Sequence, residues 1–214
     1  MNVEKMFWTD PYLTELTAKI TSVDGERITV DRTIAYAFSG GQESDRGTIG
    51  MYNIVKAEKC GKQIVYVIDD PHDLKIGDDV LIRIDWERRY KIMRLHFAAE
   101  IVLELIIQNF SDPMKVGARI AEDKARVDFF WQGNISQTFN LLSNEIKNLV
   151  DQDLPIKCEF SDQENEIRYW EIENFAKVPC GGTHPKKTGE LGLIFLKRNN
   201  IGKGKERIEI TLSK

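Results

Sequence analysis

Residues 178–184 read Val-Pro-Cys-Gly-Gly-Thr-His and place a thiol and an imidazole on one short loop. Cys180 and His184 are separated by two glycines and a threonine, and glycine lets other groups approach the backbone closely. Cysteine sulfur and histidine nitrogen are ligands that Zn²⁺ accepts in tetrahedral sites. The stretch therefore predicts half of a metal site, although a turn with a buried cysteine and a surface histidine also fits it.

A second half-site is predicted on a long apolar segment earlier in the chain. His96 and Glu100 lie four residues apart in this segment, which contains neither glycine nor proline. A helix would therefore place both side chains on one face. Added to Cys180 and His184, this pair gives a plausible four-ligand zinc site. As a simple pair on a helix surface, it would need no metal.

The composition is that of an ordinary globular protein without a membrane partner. Charged residues make up 30% and hydrophobic residues 42% of the 214 residues. No stretch is apolar over the length that a membrane helix needs, and no export signal pattern begins the chain. Cys60, Cys158 and Cys180 do not have the spacing of a disulfide framework. We therefore expect no disulfide partner and a reducing, cytoplasmic location.

Positive charge is concentrated near the end of the chain. Residues 186–207 contain seven Lys or Arg and two Glu, a net charge of +5, whereas the whole chain carries −4. A basic segment on an acidic body favours a local contact with nucleic-acid phosphates. A solvated loop and strand edge explains the same charges equally well.

The order of the sequence patterns predicts two domains and an α+β fold. In the first domain, 1–84, residues 13 to about 81 read as short strands separated by turns, including an Asp-Gly hairpin at 24–25, which is typical of a small barrel or sandwich. In residues 85–214, two helical patterns are mixed with strands, which predicts an antiparallel sheet covered by helices. The glycine-rich stretch 36–47 can bring Gln42 to a ligand, but a plain hairpin connection fits it better.

Several of these stretches resemble the AlaX family, the freestanding relatives of the editing domain of alanyl-tRNA synthetase. The Cys-Gly-Gly-Thr-His stretch that ends at His184 is similar to the family signature, as is the Thr-Gly-Glu-Leu-Gly stretch at 188–192. Residues 201–209 are similar to its closing strand, and Asp-Trp-Glu-Arg-Arg at 85–89 to the start of its core helix. The glycine-rich loop resembles that of longer members, and the likeness spans residues 33–210.

The resemblance implies an N-terminal small β-barrel domain at 1–84 and a zinc-binding α+β editing domain at 85–214. It implies a trans-editing hydrolase that deacylates tRNA(Ala) mischarged with serine or glycine. Two alternatives stay open, a zinc-containing tRNA-binding module with weakened catalysis and a deacylase for another aminoacyl ester. The sequence does not indicate an oligomeric state.

The resemblance also implies a metal site with zinc as the cofactor. His96, Cys180 and His184 occupy the positions of zinc ligands. Glu100 stands where the family usually has a second histidine, and it is either the fourth ligand or a nearby catalytic acid or base. A carboxylate ligand would add negative charge and make the zinc a weaker Lewis acid.

Substrate contacts are implied for two polar side chains and one basic segment. Gln42 and Thr183 are the candidates for polar contact with the substrate at the catalytic site. The contacts with tRNA phosphates are expected from the basic residues Lys186, Lys187, Lys197, Arg198, Lys203 and Lys205.

Overall fold

The structure is a computed structural model that describes residues 3–111 and 113–213. Its several sheets and few helices confirm the predicted α+β class. The chain divides into two compact units, Met1–Ser39 with Glu43–Tyr90 and Gly40–Gln42 with Lys91–Lys214. The predicted boundary after residue 84 stays a prediction, because compactness does not show which part folds alone. No helix in the described part of the chain has the length and apolarity needed to cross a membrane.

The elements follow one another in a strand-rich order with one long helix near the middle. The strands are β1 (Glu4–Lys5), β2 (Glu15–Asp24), β3 (Arg27–Val30), β4 (Arg32–Thr33), β5 (Gly47–Ile49), β6 (Tyr52–Cys60), β7 (Gln63–Ile68), β8 (Asp79–Ile84), β9 (Met114–Ile120), β10 (Ala125–Phe130), β11 (Lys157–Asp162), β12 (Ile167–Ile172), β13 (Ala176–Pro179), β14 (Ile194–Gly202) and β15 (Lys205–Leu212). The helices are α1 (Met6–Thr9), α2 (Trp86–Asn109) and α3 (Phe139–Gln152), with 3-10 helices at Ile135–Thr138 and Thr188–Leu191.

Six strands of the first unit pair in a closed ring, in the order β2-β3-β7-β6-β5-β8. The predicted Asp-Gly hairpin joins β2 to β3, and Gly25 takes a φ of +56°, which favours glycine. Along β7, Ile64, Tyr66 and Ile68 are buried and alternate with partly exposed residues. This period of two is what a strand with one face toward a core requires. The alternating pattern of the sequence therefore determines which side chains of β7 point into the core enclosed by the six strands.

A buried ion pair ties the start of α2 to the loop before β5 within this unit. The guanidinium of Arg89, 0% exposed, donates from Nε to Oδ1 of Asp45 at 2.8 Å and from its second terminal nitrogen to the other carboxylate oxygen. Arg89 also donates to the carbonyl of Ile34 at 2.6 Å, and the backbone N–H of Tyr36 donates to Asp45 at 2.6 Å. Buried charges are tolerated when their hydrogen-bonding capacity is used in this way.

The second unit contains two antiparallel sheets and most of the helical residues. One sheet has the order β14-β15-β10-β9, and the other has the order β11-β12-β13. Helix α3 buries Leu142, Ile146 and Leu149, which lie at the spacing of one helical face. The central part of α2 packs into the same apolar core as these residues and Trp170. This core holds the helix against the sheets.

Backbone contacts position the segments that carry the predicted site residues. The N–H of Cys180 donates to the carbonyl of Arg168 at 2.9 Å, which extends the pairing of β13 with β12 beyond Pro179. The N–H of Ile120 donates to the carbonyl of Gly41 at 2.8 Å, so Gly41 and Gln42 lie beside the end of β9. A Cβ on Gly41 would lie 2.6 Å from the carbonyl oxygen of Ala118, so the approach requires glycine.

We predict that Arg89→Met lowers the free energy of unfolding by about 3–5 kcal/mol, because it leaves the Asp45 carboxylate buried without its cation. Urea-induced unfolding followed by fluorescence and by circular dichroism measures the change. Arg83→Met is the matched control, because the Arg83–Glu15 pair is 2.7 Å long but its side chains are 53% and 55% exposed. The control should cost about 1 kcal/mol or less. Equal losses in the two variants would contradict the importance of the buried pair.

Candidate metal centre

Three of the four predicted ligands come together in the second unit. One donor atom from each of His96, Cys180 and His184 can be chosen so that all lie within 4.8 Å of one another. Nε2 of His96 is 3.6 Å from Sγ of Cys180, and the two imidazole rings stack at 5.0 Å with 21° between their planes. One sulfur and two imidazole nitrogens are a donor set that suits Zn²⁺. The three residues form a group that can hold a metal ion.

The two histidines differ at Nε2, which in His96 lies 3.6 Å from Sγ of Cys180 and in His184 has no hydrogen-bond partner in the described part of the chain. Nδ1 of His96 lies 3.3 Å from the carbonyl oxygen of Thr183, to which a protonated Nδ1 donates. Nε2 of His184 is buried and has no hydrogen-bond partner in the described part of the chain. A buried polar atom without a partner is costly. Ligation of a metal ion would satisfy this nitrogen, so the residues fit such an ion.

The close approach of the loop to α2 depends on Gly182. A Cβ at this position would lie 2.0 Å from Cε1 of His96 and 2.7 Å from Oε1 of Gln42. Gly181, the neighbouring residue, has no atom within 4 Å of a corresponding Cβ. Only the second glycine of the motif is therefore required for space at this site.

Gln42 and Thr183 are brought next to the cluster and bind each other. Nε2 of Gln42 donates to Oγ1 of Thr183 at 2.9 Å, and the N–H of Thr183 donates to Oε1 of Gln42 at 3.3 Å. Both residues are 1% exposed. The pair fixes the loop in front of His96, since Thr183 also provides the carbonyl that His96 uses.

Glu100 lies beside the cluster but is not one of its three mutually close donors. Oε1 of Glu100 is 3.7 Å from Nε2 of His96, and Oε2 accepts a hydrogen bond of 3.2 Å from the indole N–H of Trp170. Burial raises the pKa of Glu100, but the bonds with His96 and Trp170 outweigh it and lower the pKa to about 2. The side chain is therefore a carboxylate at neutral pH.

The electrostatics of the cluster favour an anionic sulfur. Burial raises the pKa of the Cys180 thiol, but His96 and His184 outweigh burial and lower it to about 5. For His184, burial lowers the pKa, whereas Cys180 and Cys158 raise it to about 9. Burial likewise lowers the pKa of His96, but Cys180 and Glu100 raise it well above its ordinary value. A thiolate is the form of cysteine that binds metals.

Two residues near the site were not found by sequence reasoning. Sγ of Cys158 lies 3.4 Å from Nδ1 of His184, although the two residues are 26 positions apart. Trp170 packs edge-on against Phe97 at 5.2 Å and donates to Glu100. Neither belongs to a local motif of metal sites, so only the pairing of β11 with β12 brings them to the site.

Two of the basic residues expected to contact tRNA already have acidic partners. Lys187 donates to Asp153 at 2.8 Å. Arg198 forms a two-pronged pair with Glu206, with distances of 2.5 Å and 2.6 Å. The net charge of the segment therefore overstates the positive charge that is available to a ligand.

The other four residues expected to contact tRNA differ in their exposure and contacts. Lys197 and Lys203 are exposed, and Lys203 lies in the turn between β14 and β15. Nζ of Lys205 lies 5.1 Å from the ring centre of Phe130 on the neighbouring strand β10. Lys186 donates through its backbone N–H to Glu190 at 2.8 Å.

Comparison with known proteins places these features in a family. Residues 167–209, which include the Cys180 loop, match the family described as the threonyl and alanyl tRNA synthetase second additional domain. The protein of Pyrococcus horikoshii named alanyl-tRNA editing protein AlaX-M is 32% identical over 212 residues, which cover 97% of each chain. The protein of the same name from Methanosarcina barkeri is 30% identical over 240 residues, which cover 98% of each chain.

A longer relative shows the same likeness over part of its length. The alanine–tRNA ligase of Ignicoccus hospitalis is 31% identical over 230 residues, which cover 96% of this chain but 25% of the ligase. The matches to the freestanding proteins, in contrast, extend over nearly the whole of both partners. The chain belongs to the AlaX family of alanyl-tRNA editing proteins.

Proposed function

We propose that this protein is a trans-editing hydrolase that deacylates tRNA(Ala) mischarged with serine or glycine. The observation that carries the proposal is the group of three mutually close donors, His96, Cys180 and His184. Three protein ligands with a fourth position left for water or substrate are typical of catalytic zinc, whereas structural zinc has four protein ligands. The names of the relatives support the substrate class, and a cytoplasmic location fits a reaction on aminoacyl-tRNA.

The proposed cofactor is Zn²⁺, held by Nε2 of His96, Sγ of Cys180 and Nε2 of His184. When bound, it would polarise the ester carbonyl or lower the pKa of a water molecule. The mutual closeness of the three donors and the unpartnered Nε2 of His184 support this ligand set.

Glu100 is proposed to handle the proton of the attacking water. In ester hydrolysis, the water oxygen attacks the acyl carbon, the bond from that carbon to the ribose oxygen breaks, and a proton is delivered to the ribose oxygen. Trp170 holds one oxygen of Glu100, which leaves the other oxygen on the side of His96. A carboxylate held in this way can orient the attacking water and relay its proton to the leaving oxygen, although a pKa lowered to about 2 makes it a weak base.

Gln42 and Thr183 are proposed to position the loop and to contact the substrate. Their two mutual hydrogen bonds hold the backbone of the loop in front of His96. Oγ1 of Thr183 is the acceptor in its bond with Gln42, so the hydroxyl hydrogen is not used in that bond. We propose that this hydroxyl contacts the amino acid esterified to the tRNA.

Lys197, Lys203 and Lys205 are the proposed contacts with tRNA phosphates. Lys197 and Lys203 are exposed, and the ion pairs recorded for Lys187 and Arg198 do not involve these three lysines. Lysine side chains that replace counterions on the phosphates contribute to affinity in a strongly salt-dependent way.

The first test compares the hydrolysis of Ser-tRNA(Ala), Gly-tRNA(Ala) and Ala-tRNA(Ala) by the protein and by two glycine variants. We expect hydrolysis of the mischarged substrates and about one zinc per chain by elemental analysis. Gly182→Ala should lose most of the zinc and the hydrolysis, because the added Cβ overlaps His96. Gly181→Ala should keep its zinc, because no atom lies within 4 Å of the added Cβ.

The outcomes separate the three functions that the sequence leaves open. Binding of tRNA with zinc present but no hydrolysis of any aminoacyl ester would indicate a tRNA-binding module. Hydrolysis of an ester other than Ser-tRNA(Ala) or Gly-tRNA(Ala) would indicate a different deacylase. Zinc retention by Gly182→Ala equal to that of the parent would place the metal elsewhere.

Glu100→Gln should keep its zinc and slow the hydrolysis by about 10²- to 10⁴-fold, the usual contribution of a general acid or base. Gln keeps an oxygen that accepts from Trp170 but cannot take a proton from water. Glu100→His is the comparison variant, because it restores the residue that the family resemblance implies. Loss of zinc in Glu100→Gln together with retention in Glu100→His would make Glu100 a fourth ligand instead of a base.

Lys203→Glu/Lys205→Glu should weaken tRNA binding and reduce the slope of log affinity against log salt by about 2, because two phosphate contacts are removed. Fluorescence anisotropy over a range of salt concentrations measures both quantities. Lys56→Glu/Lys59→Glu, on strand β6, makes the same change of charge at another exposed site. Equal effects of the two double variants would indicate a response to net charge and no contact at the 203–205 turn.

A further inference from the structure

The two histidines of the cluster have matching surroundings at their Nδ1 atoms. Nδ1 of His96 faces the carbonyl oxygen of Thr183 at 3.3 Å, and Nδ1 of His184 faces Sγ of Cys158 at 3.4 Å. At the other nitrogen, Nε2 of His96 lies near Cys180, and Nε2 of His184 has no hydrogen-bond partner in the described part of the chain. Each ring therefore has a hydrogen-bond partner at Nδ1 and a candidate metal position at Nε2.

Strand pairing explains why Cys158 reaches this position. In the three-stranded sheet, Cys158 of β11 lies opposite Trp170 of β12, and Trp170 lies opposite Val178 of β13. Directly opposed residues point to the same face, and so does Cys180, two residues beyond Val178. Cys158 and Cys180 thus project from the same face of the sheet, Cys158 beside Trp170 and Cys180 beside Arg168.

Cys158 is not placed as a fourth ligand. It does not belong to the group whose donor atoms all lie within 4.8 Å of one another. Its sulfur lies at Nδ1 of His184, and the two nitrogens of an imidazole point to different sides of the ring. An ion at Nε2 and a sulfur at Nδ1 are therefore separated by the ring itself.

We propose that Cys158 is a positioning residue that accepts the Nδ1–H of His184 and thereby presents the lone pair of Nε2 to the metal. It does for His184 what the carbonyl of Thr183 does for His96. This inference rests on the proposed metal site. A hydrogen-bond acceptor behind a metal-ligating histidine fixes the tautomer and the orientation of the ring, and its loss usually lowers metal affinity by about 10- to 100-fold.

The test measures zinc affinity and the absorption spectrum of the cobalt-substituted protein in variants of Cys158. Cys158→Ala should bind Zn²⁺ about 10- to 100-fold more weakly. The near-ultraviolet thiolate-to-Co²⁺ charge-transfer band, per bound ion, should stay unchanged because Cys180 is still the thiolate ligand. Cys158→Ser should recover most of the affinity, since a hydroxyl oxygen can accept from Nδ1–H.

Cys60→Ala is the matched control, because Cys60 is exposed and lies on β6 in the first unit. Circular dichroism and thermal unfolding establish that each variant is folded. An unchanged zinc affinity in Cys158→Ala, or a serine variant as weak as the alanine variant, would overturn the inference. A charge-transfer band that falls by about half per cobalt in Cys158→Ala would overturn it too and make Cys158 a ligand.

Cys180→Ala distinguishes failure of this inference from failure of the metal site on which it rests. This variant should lose the charge-transfer band and most of the metal. If it retains both, the metal site itself is elsewhere. If Cys180→Ala behaves as expected and Cys158→Ala does not, only the positioning role of Cys158 is wrong.

Discussion

The candidate site depends on the contact between a glycine and a histidine ring. Gly182 can lie against His96 only because it has no side chain, since a Cβ would be 2.0 Å from the ring. The same contact brings the carbonyl of Thr183 to Nδ1 of His96 and the side chain of Gln42 to the loop. Cys180 and His184 lie on either side of this point. The spacing of the motif thus places the two donors, Cys180 and His184, two residues before and two residues after the glycine that contacts His96.

The two histidine acceptors differ in how they respond to substitution. The acceptor for His96 is a backbone carbonyl, which a change of side chain at residue 183 does not remove. The proposed acceptor for His184 is the side chain of Cys158, so a single substitution at residue 158 would remove it. On this proposal, the orientation of His96 is kept by the path of the chain, whereas that of His184 depends on the identity of residue 158 on strand β11.

The sequence could indicate which residues lie close together where the determining contacts are local. The nearness of His96 and Glu100 follows from the period of a helix, and the nearness of Cys180 and His184 follows from a short loop. The positions of Cys158 and Trp170 depend on the register between β11 and β12, in which these two residues are opposite each other. The sequence of either strand alone does not determine that register.

The available charge of the basic segment, residues 186–207, also depends on contacts that the sequence does not indicate. A net charge can be counted from the sequence, but its partners come from other parts of the fold. Asp153, which pairs with Lys187, follows helix α3, and Asp128, which pairs with Arg207, lies on β10. The composition therefore predicts that the segment is positively charged, but the ion pairs of the folded chain determine which of its charges are available to a ligand.

The second compact unit is not continuous along the chain. Gly40–Gln42 belong to it, although the residues before and after them belong to the first unit. A gene segment that encodes only residues 91–214 would lack Gln42 and both of its bonds to Thr183. In this protein, a cut of the chain at residue 91 would therefore separate the Thr183 loop from Gln42, although both belong to the same compact unit.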